Sequence, residues 1–202
     1  TAARLFMEKG YDHTSIQDII DNLGGLTKGA IYHHFKSKED IVYAVFEKMY
    51  AQADIDTKKV CESKNMNGFQ KLQEVFRLSI FNPAQNDVLV VAIDMIKNPQ
   101  LLVIYLRDMV QTESTEMVRR ILEEGIEDGS IKTEYPKELA EVLMLLGGIW
   151  INPMVYPCDS SEIVKKVRFY QHMLEALGLN IIEDSWIDQI ESYAALYQEN
   201  QK

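Results

Sequence analysis

Apolar residues recur at helical spacing along almost the whole chain, and no stretch alternates apolar and polar residues between turn signals as a strand would. Ile16, Ile19, Ile20 and Leu23, for example, stand at i, i+3, i+4 and i+7, the stripe that one face of an amphipathic helix buries. A chain patterned this way folds as packed helices, so the fold class is all-α. Its 202 residues, 47% of them hydrophobic, suffice for a substantial core.

Local signals divide the pattern. Leu5 and Phe6 belong to a first helix that Gly10 ends. Thr14 with Gln17 three residues on reads as a capping box opening a second helix, which Gly24 and Gly25 break. Thr27 caps a third, with Ile31 and Phe35 as its buried edge. Ser37 caps a fourth, with Glu39 and Asp40 in the first turn where the helix dipole favours acid, and this helix runs to about residue 62. The polar stretch from Cys61 to Gly68 reads as a hinge loop. Further helices are expected over 69–81, 86–97, 100–128, 136–151, 160–177 and 184–198, punctuated by Pro83, Pro99, Gly129, Pro136, Pro153, Pro157 and Gly178. The run from Val88 to Ile96, apolar but for Asp94, suits a central helix packed on every side.

Charge is distributed unevenly. A net charge of -10 argues globally against a polyanionic partner. Yet residues 1–50 carry six basic and seven acidic side chains, leaving fifteen and twenty-four to the remainder. From Leu23 to Lys38 there are three lysines, two histidines and no carboxylate. Two short helices joined by a Gly-containing turn, with another helix ahead of them, make a helix-turn-helix arrangement whose second helix can enter a DNA major groove. At about 100° per residue, Ile31 and Phe35 set the buried direction, and His33 lies opposite, flanked by Gly29, Ala30 and Tyr32. Ala30 could pack on a thymine methyl, His33 could donate to a base edge or phosphate, and Tyr32 could give its hydroxyl to a phosphate. Lys28 and Lys38 add charge, and the helix N-termini after Thr14 and Thr27 favour anions. The same residues admit plainer roles: Lys36 and Lys38 as solvated charges, Tyr32 as the edge of a small core, His34 as a structural hydrogen-bonding group on the flank.

The segments AARLFMEKGYDHTSIQDI and GGLTKGAIYHHFKSKEDI closely resemble the DNA-binding head of the TetR family of transcriptional regulators. Gly25, Gly29, Tyr32, His34, Phe35 and Lys38 match its GxxxGxxYxHFxxK core, and the resemblance covers about residues 2 to 46. It implies a DNA-binding domain over 1–46 and a helical effector-binding and dimerisation domain over 47–202. It further implies that Thr14, Gln17, Thr27, Lys28, Gly29, Ala30, Tyr32, His33, His34 and Lys38 face or approach DNA. The turn at Leu23, Gly24 and Gly25 holds one residue more than the family pattern. By the same resemblance the protein is expected to be a homodimeric regulator, a repressor that binds a palindromic operator and is released by a small-molecule effector.

The body gives weaker signals. Gly147 and Gly148 permit close helix approach, and Ile163, Val164, Val167, Tyr170, Met173, Leu174 and Leu177 extend the apolar surface available to a partner. Phe76, Met95, Tyr105, Met109, Met144 and Trp150 are candidate pocket-lining residues, since Met fills irregular space and aromatics offer flat apolar area; the same residues also suit an ordinary core. Asp94 reads equally as a counter-charge to a cationic ligand or as a satisfied buried carboxylate. Cys61 and Cys158 form no CxxC pair, no His/Glu pair has zinc-ligand spacing, and no nucleophile motif or phosphate loop occurs, so neither enzyme, metal nor cofactor is expected. The longest apolar run, Val142 to Ile151, is too short for the roughly 20 residues of a membrane span. A reducing cytoplasm is the expected setting, and a cleaved leader is not expected because the helical pattern starts at once. The competing reading is a helical ligand-binding or adaptor protein without DNA function.

Overall fold

The computed structural model describes residues 1–200 except 26, 92 and 112, and excludes the side chains of 108–113. Eleven helices run through the described residues, which contain no strand: α1 Ala2–Lys9, α2 Ile16–Asp21, α3 Lys28–His34, α4 Lys38–Glu62, α5 Gly68–Ile80, α6 Ala84–Val91, α7 Pro99–Gln111, α8 Glu113–Glu127, α9 Pro136–Leu145, α10 Ser160–Ala176 and α11 Asp184–Asn200. A π-helical turn, Leu146–Trp150, continues α9. No described helix is long and apolar enough to cross a membrane.

Helix starts follow from side-chain acceptors placed where the first amides lack intrahelical partners. Thr27 Oγ1 accepts from the Ala30 amide at 3.2 Å, and Ser37 Oγ from Asp40 at 3.1 Å. Asn67 with Gln70 and Asp159 with Glu162 form full capping boxes. The box expected at Thr14 sits one residue later. Ser15 Oγ accepts from the Asp18 amide at 3.0 Å, and the Asp18 carboxylate accepts from the Ser15 amide at 2.9 Å. Thr14 instead turns inward, donating to Gly10 O at 2.8 Å and Leu5 O at 3.3 Å. Burying its hydroxyl requires those partners, and they join the α1 end to the α2 start.

The apolar stripes meet in two clusters. One gathers Leu5, Phe6, Tyr11, Ile19, Ile31, Ile41 and Val42 from the N-terminal helices and the α1–α2 loop together with Val88, Leu89, Val91, Ile93, Met95, Leu101, Met154, Val155 and Tyr197. α1 accordingly packs on both α4 and α6. The other gathers Leu72 of α5, Val118, Ile121 and Leu122 of α8, Ala140 and Leu143 of α9, Tyr170 and Leu174 of α10, and Trp186 of α11. α4 spans 25 residues, or roughly 37 Å at 1.5 Å per residue.

Three expected helices differ in detail. The apolar run after Val88 leaves the helix at Val91. Beyond it Asp94 accepts from the Ile96 and Lys97 amides at 3.0 and 3.2 Å and pairs with Lys97 Nζ at 3.0 Å, building a turn. Asp94 is therefore a turn-forming carboxylate, neither a helix residue nor a counter-charge awaiting a ligand. The span expected as one helix over 100–128 is covered by α7 and α8, with Thr112 between them outside the described residues. The helix expected over 136–151 changes register, its last turn winding as π helix so that Ile151 N donates to Leu146 O at 3.0 Å.

Candidate nucleic-acid interface

α2 ends at Asp21 and α3 starts at Lys28, so six residues separate them. Gly24 and Gly25 take φ of 57° and 120°, a region that side-chain-bearing residues rarely adopt. The pair lets the chain reverse around the extra residue and deliver Thr27 to the start of α3.

On α3 only Ile31 is buried. Phe35 lies just beyond the helix, with extended backbone at φ -127°, yet still packs against the core, so the inward direction read from the pair is retained. Lys28, Gly29, Tyr32, His33 and His34 are exposed, and Ala30 is half-buried. No Cβ on Gly29 would meet an obstacle closer than 3.9 Å, so the glycine leaves an open surface at the helix start. Lys28 Nζ lies 5.8 Å from the centre of the Tyr32 ring, one helical turn on. The His33 and His34 rings meet edge to face with centroids 5.3 Å apart, and His34 is turned to solvent rather than into a structural role.

The neighbouring charges are largely engaged. Arg4 pairs with Glu8 at 2.8 Å and Lys9 with Asp18 at 3.3 Å. Gln17 is exposed but donates to Asp21 at 2.7 Å. Lys38 is drawn back to the head, donating to Tyr11 O at 3.0 Å with its ammonium 4.0 Å from the Tyr11 ring centre. Burial, then Glu39, pushes the Tyr11 phenol pKa well above its ordinary value. Thr14 is 1% exposed, so its hydroxyl is not offered to a phosphate. Ser15, exposed at the N-cap of α2, occupies the place that the threonine was expected to fill. The adjacent Ser15/Asp18 pair carried the signal in the sequence. What remains outward on α3 is a carboxylate-free surface with a cation in its first turn and an exposed N-cap at Thr27, an arrangement suited to phosphate and base edges.

Residues 1–45 match the family model of bacterial regulatory proteins, tetR family. The chain is 26% identical over 178 residues to the HTH-type transcriptional repressor KstR2 of Rhodococcus jostii (strain RHA1), covering 82% of this chain and 81% of that one. The N-terminal head is of the tetR family type. The chain is also 26% identical over 145 residues to the HTH-type transcriptional repressor AcnR of Corynebacterium glutamicum, covering 71% of each chain. The fold is that of a transcriptional regulator from Cytophaga hutchinsonii ATCC 33406, with a TM-score of 0.57 and 18% identity over 98% of this chain and 93% of that one.

The candidate effector-site residues divide between the two clusters. Met95 is buried within the first and Tyr105 packs against it. Phe76, Met144 and Trp150 pack against the second. Phe76 stacks obliquely on Tyr170 at 6.5 Å, and Trp150 meets Phe169 edge-on at 6.0 Å. The side chain of Met109, on α7, lies outside what the structure describes. The Tyr105 hydroxyl donates to Gly148 O at 2.6 Å and accepts from Asn152 Nδ2 at 3.0 Å, and burial pushes its pKa up to about 12 against the opposing effect of the Asn152 hydrogen bond. Asn152 is absent from the sequence reading. Among the described residues no group of three or more His, Cys, Asp or Glu could hold a metal ion.

Proposed function

We propose that the protein is a ligand-responsive repressor that binds a palindromic operator as a homodimer in the cytoplasm and is released by a small-molecule effector. The observation that carries the reading is the exposed, acid-free surface of α3 in a chain whose remainder is strongly acidic. In this reading Lys28, Gly29, Ala30, Tyr32 and His33 meet the major groove, with Thr27, His34, Gln17 and Lys38 along its edges. Thr14 contributes by fixing the loop ahead of α2. Residues 1–46 serve DNA binding and residues 47–202 serve effector binding and dimerisation, with α4 running through the division as the lever. The relatives KstR2 and AcnR, each described as a transcriptional repressor, support repression as the mode.

Two heads reach successive major grooves when they sit about 34–36 Å apart. Exposed Val142 and Leu145 on α9 with Phe169 on α10 and Leu177 just beyond its end supply apolar area for a two-fold contact that would set this spacing. An effector bound better by a splayed dimer shifts the population away from that spacing and frees the operator. Phe76, Met95, Tyr105, Met144 and Trp150, with Met109, are the side chains assigned to its site.

Selecting genomic fragments on the purified protein and sequencing them should return a palindrome. The double variant Lys28→Ala/Tyr32→Ala should then lose operator binding while its helical circular-dichroism spectrum and melting temperature persist, since both side chains are exposed. Undiminished binding by that variant would sink the assignment.

A further inference from the structure

In a π turn each carbonyl points at the amide five residues on. For Gly148 that residue is Pro153, which has no N–H to donate. The Tyr105 hydroxyl takes the vacant role at 2.6 Å, reaching across from α7, and the same oxygen accepts the Asn152 side-chain amide at 3.0 Å. Asn152 also builds the turn that follows. Its Oδ1 accepts from Met154 N at 3.0 Å, and its backbone carbonyl accepts from Val155 N at 3.1 Å and Tyr156 N at 2.8 Å.

That turn is joined to another. Met154 O accepts from Met95 N at 2.9 Å, and Tyr197 Oη donates to Ile93 O at 3.0 Å, so the segment after α6 is held from both α11 and the Asn152 turn. Asp94 closes the segment on itself, and Asn98 donates through one side-chain nitrogen to Asp94 O at 2.9 Å and to Asp12 Oδ1 at 3.3 Å. Asp12 belongs to the loop between α1 and α2, next to the buried Tyr11 and two residues before the buried Thr14. Met95, Met154 and Val155 lie in the same buried cluster as Leu5, Phe6 and Tyr11.

We infer that Asn152 is a positioning residue that ties Tyr105 to the DNA-binding head through Met154, Met95, Asn98 and Asp12. The inference rests on the regulator reading and adds to it a route by which the body sets the head. A group that takes the Tyr105 hydroxyl proton from Gly148 O leaves a π-turn carbonyl without its donor and disturbs the acceptor of the Asn152 amide. The turn that Asn152 organises is the one that holds Met95. Because the links are in series, the chain passes on a change only while every link is intact.

The test uses the full chain, amide hydrogen exchange over residues 11–14 without DNA, and affinity for the operator fragment that the wild type selects. Asn152→Ala should raise exchange over 11–14 about fivefold and weaken operator binding by a similar factor, the effect of one lost hydrogen bond. Asn98→Ala should do the same, and the double variant should do no more than either alone. Tyr105→Phe gives the same readouts in the same direction and serves if Asn152→Ala does not fold. Gln171→Ala breaks a hydrogen bond to Ile182 O in the other cluster, so it should lower the melting temperature without altering exchange over 11–14. Unchanged exchange in both Asn152→Ala and Tyr105→Phe, or additive effects in the double variant, would overturn the relay. A wild type that retains no DNA fragment would instead overturn the regulator reading, with the exchange measurement still deciding the relay.

Discussion

Replacing Gly68 with alanine tests how closely the body helices approach. A Cβ there would lie 2.2 Å from the Gly125 nitrogen, 2.3 Å from the Gly125 Cα and 2.8 Å from Ile121 O, all backbone atoms of α8. Non-bonded carbons rest near ~3.5–4 Å, so α5 and α8 must separate by about 1 Å or more. Separation would also stretch the Gly68 N to Asp128 bond at 2.7 Å, the Phe69 N to Ser130 bond at 3.1 Å and the contact between buried Lys71 and Glu124. Overpacking costs about 1–3 kcal/mol before such losses, so about 3 kcal/mol is expected for Gly68→Ala. In a chain of this size that corresponds to a fall in melting temperature of roughly 6–12 °C. Gly125→Ala is the comparison, because its new Cβ meets the Ile131 side chain at 2.6 Å rather than backbone. It also gains about 1 kcal/mol of helix propensity. Its melting temperature should fall by less. Melting followed by circular dichroism at one fixed protein concentration, so that any association stays constant, decides the order. A Gly68→Ala protein melting within about 2 °C of wild type would refute the close approach.

Three further outcomes can be checked directly. In the α2 capping box, hydrogen bonds from the Ser15 side chain and amide, with Lys9 beside them, hold the Asp18 carboxyl pKa at about 2. Since the folded value lies below the unfolded one, its stabilisation is full above the ordinary carboxylate range near ~4 and is lost as pH falls towards 2. The gap in urea midpoint between wild type and Asp18→Asn should therefore close over that window, and a constant gap would contradict it. Thr14→Val keeps the shape but leaves the Gly10 carbonyl without its 2.8 Å donor, so urea unfolding should show a loss of about 1 kcal/mol. Lys28→Ala should lower the slope of log operator affinity against log salt by about 0.9, as expected when one phosphate contact is removed.

The helical architecture was legible because apolar periodicity and caps are local. Ile16, Ile19, Ile20 and Leu23 reported a face, and Thr27 and Ser37 reported starts, without reference to the rest of the molecule. Errors arose where a distant partner decided between two local readings. Thr14/Gln17 and Ser15/Asp18 both satisfy the capping pattern, and the choice fell to Ser15 because Leu5 O and Gly10 O receive the Thr14 hydroxyl. Val88 to Ile96 reads as one apolar helix because Ile93 and Met95 are buried even after the helix has ended, held by Tyr197 and Met154. The outward residues of α3 were legible from one buried neighbour, Ile31. The Tyr105–Asn152 link was not, because its only local trace is a proline five residues after a glycine.

The cluster that joins Leu5, Phe6 and Ile31 to Val88, Leu89 and Met154 has a bearing on protein engineering. Chimeras that graft a foreign reading head onto this sensor by splicing in α4 would sever a continuous interior and leave Val88, Leu89 and Ile93 facing an unmatched surface. A workable splice must carry the inner faces of α6 and the 93–98 and 152–155 turns along with the graft, making the exchangeable unit a discontinuous one.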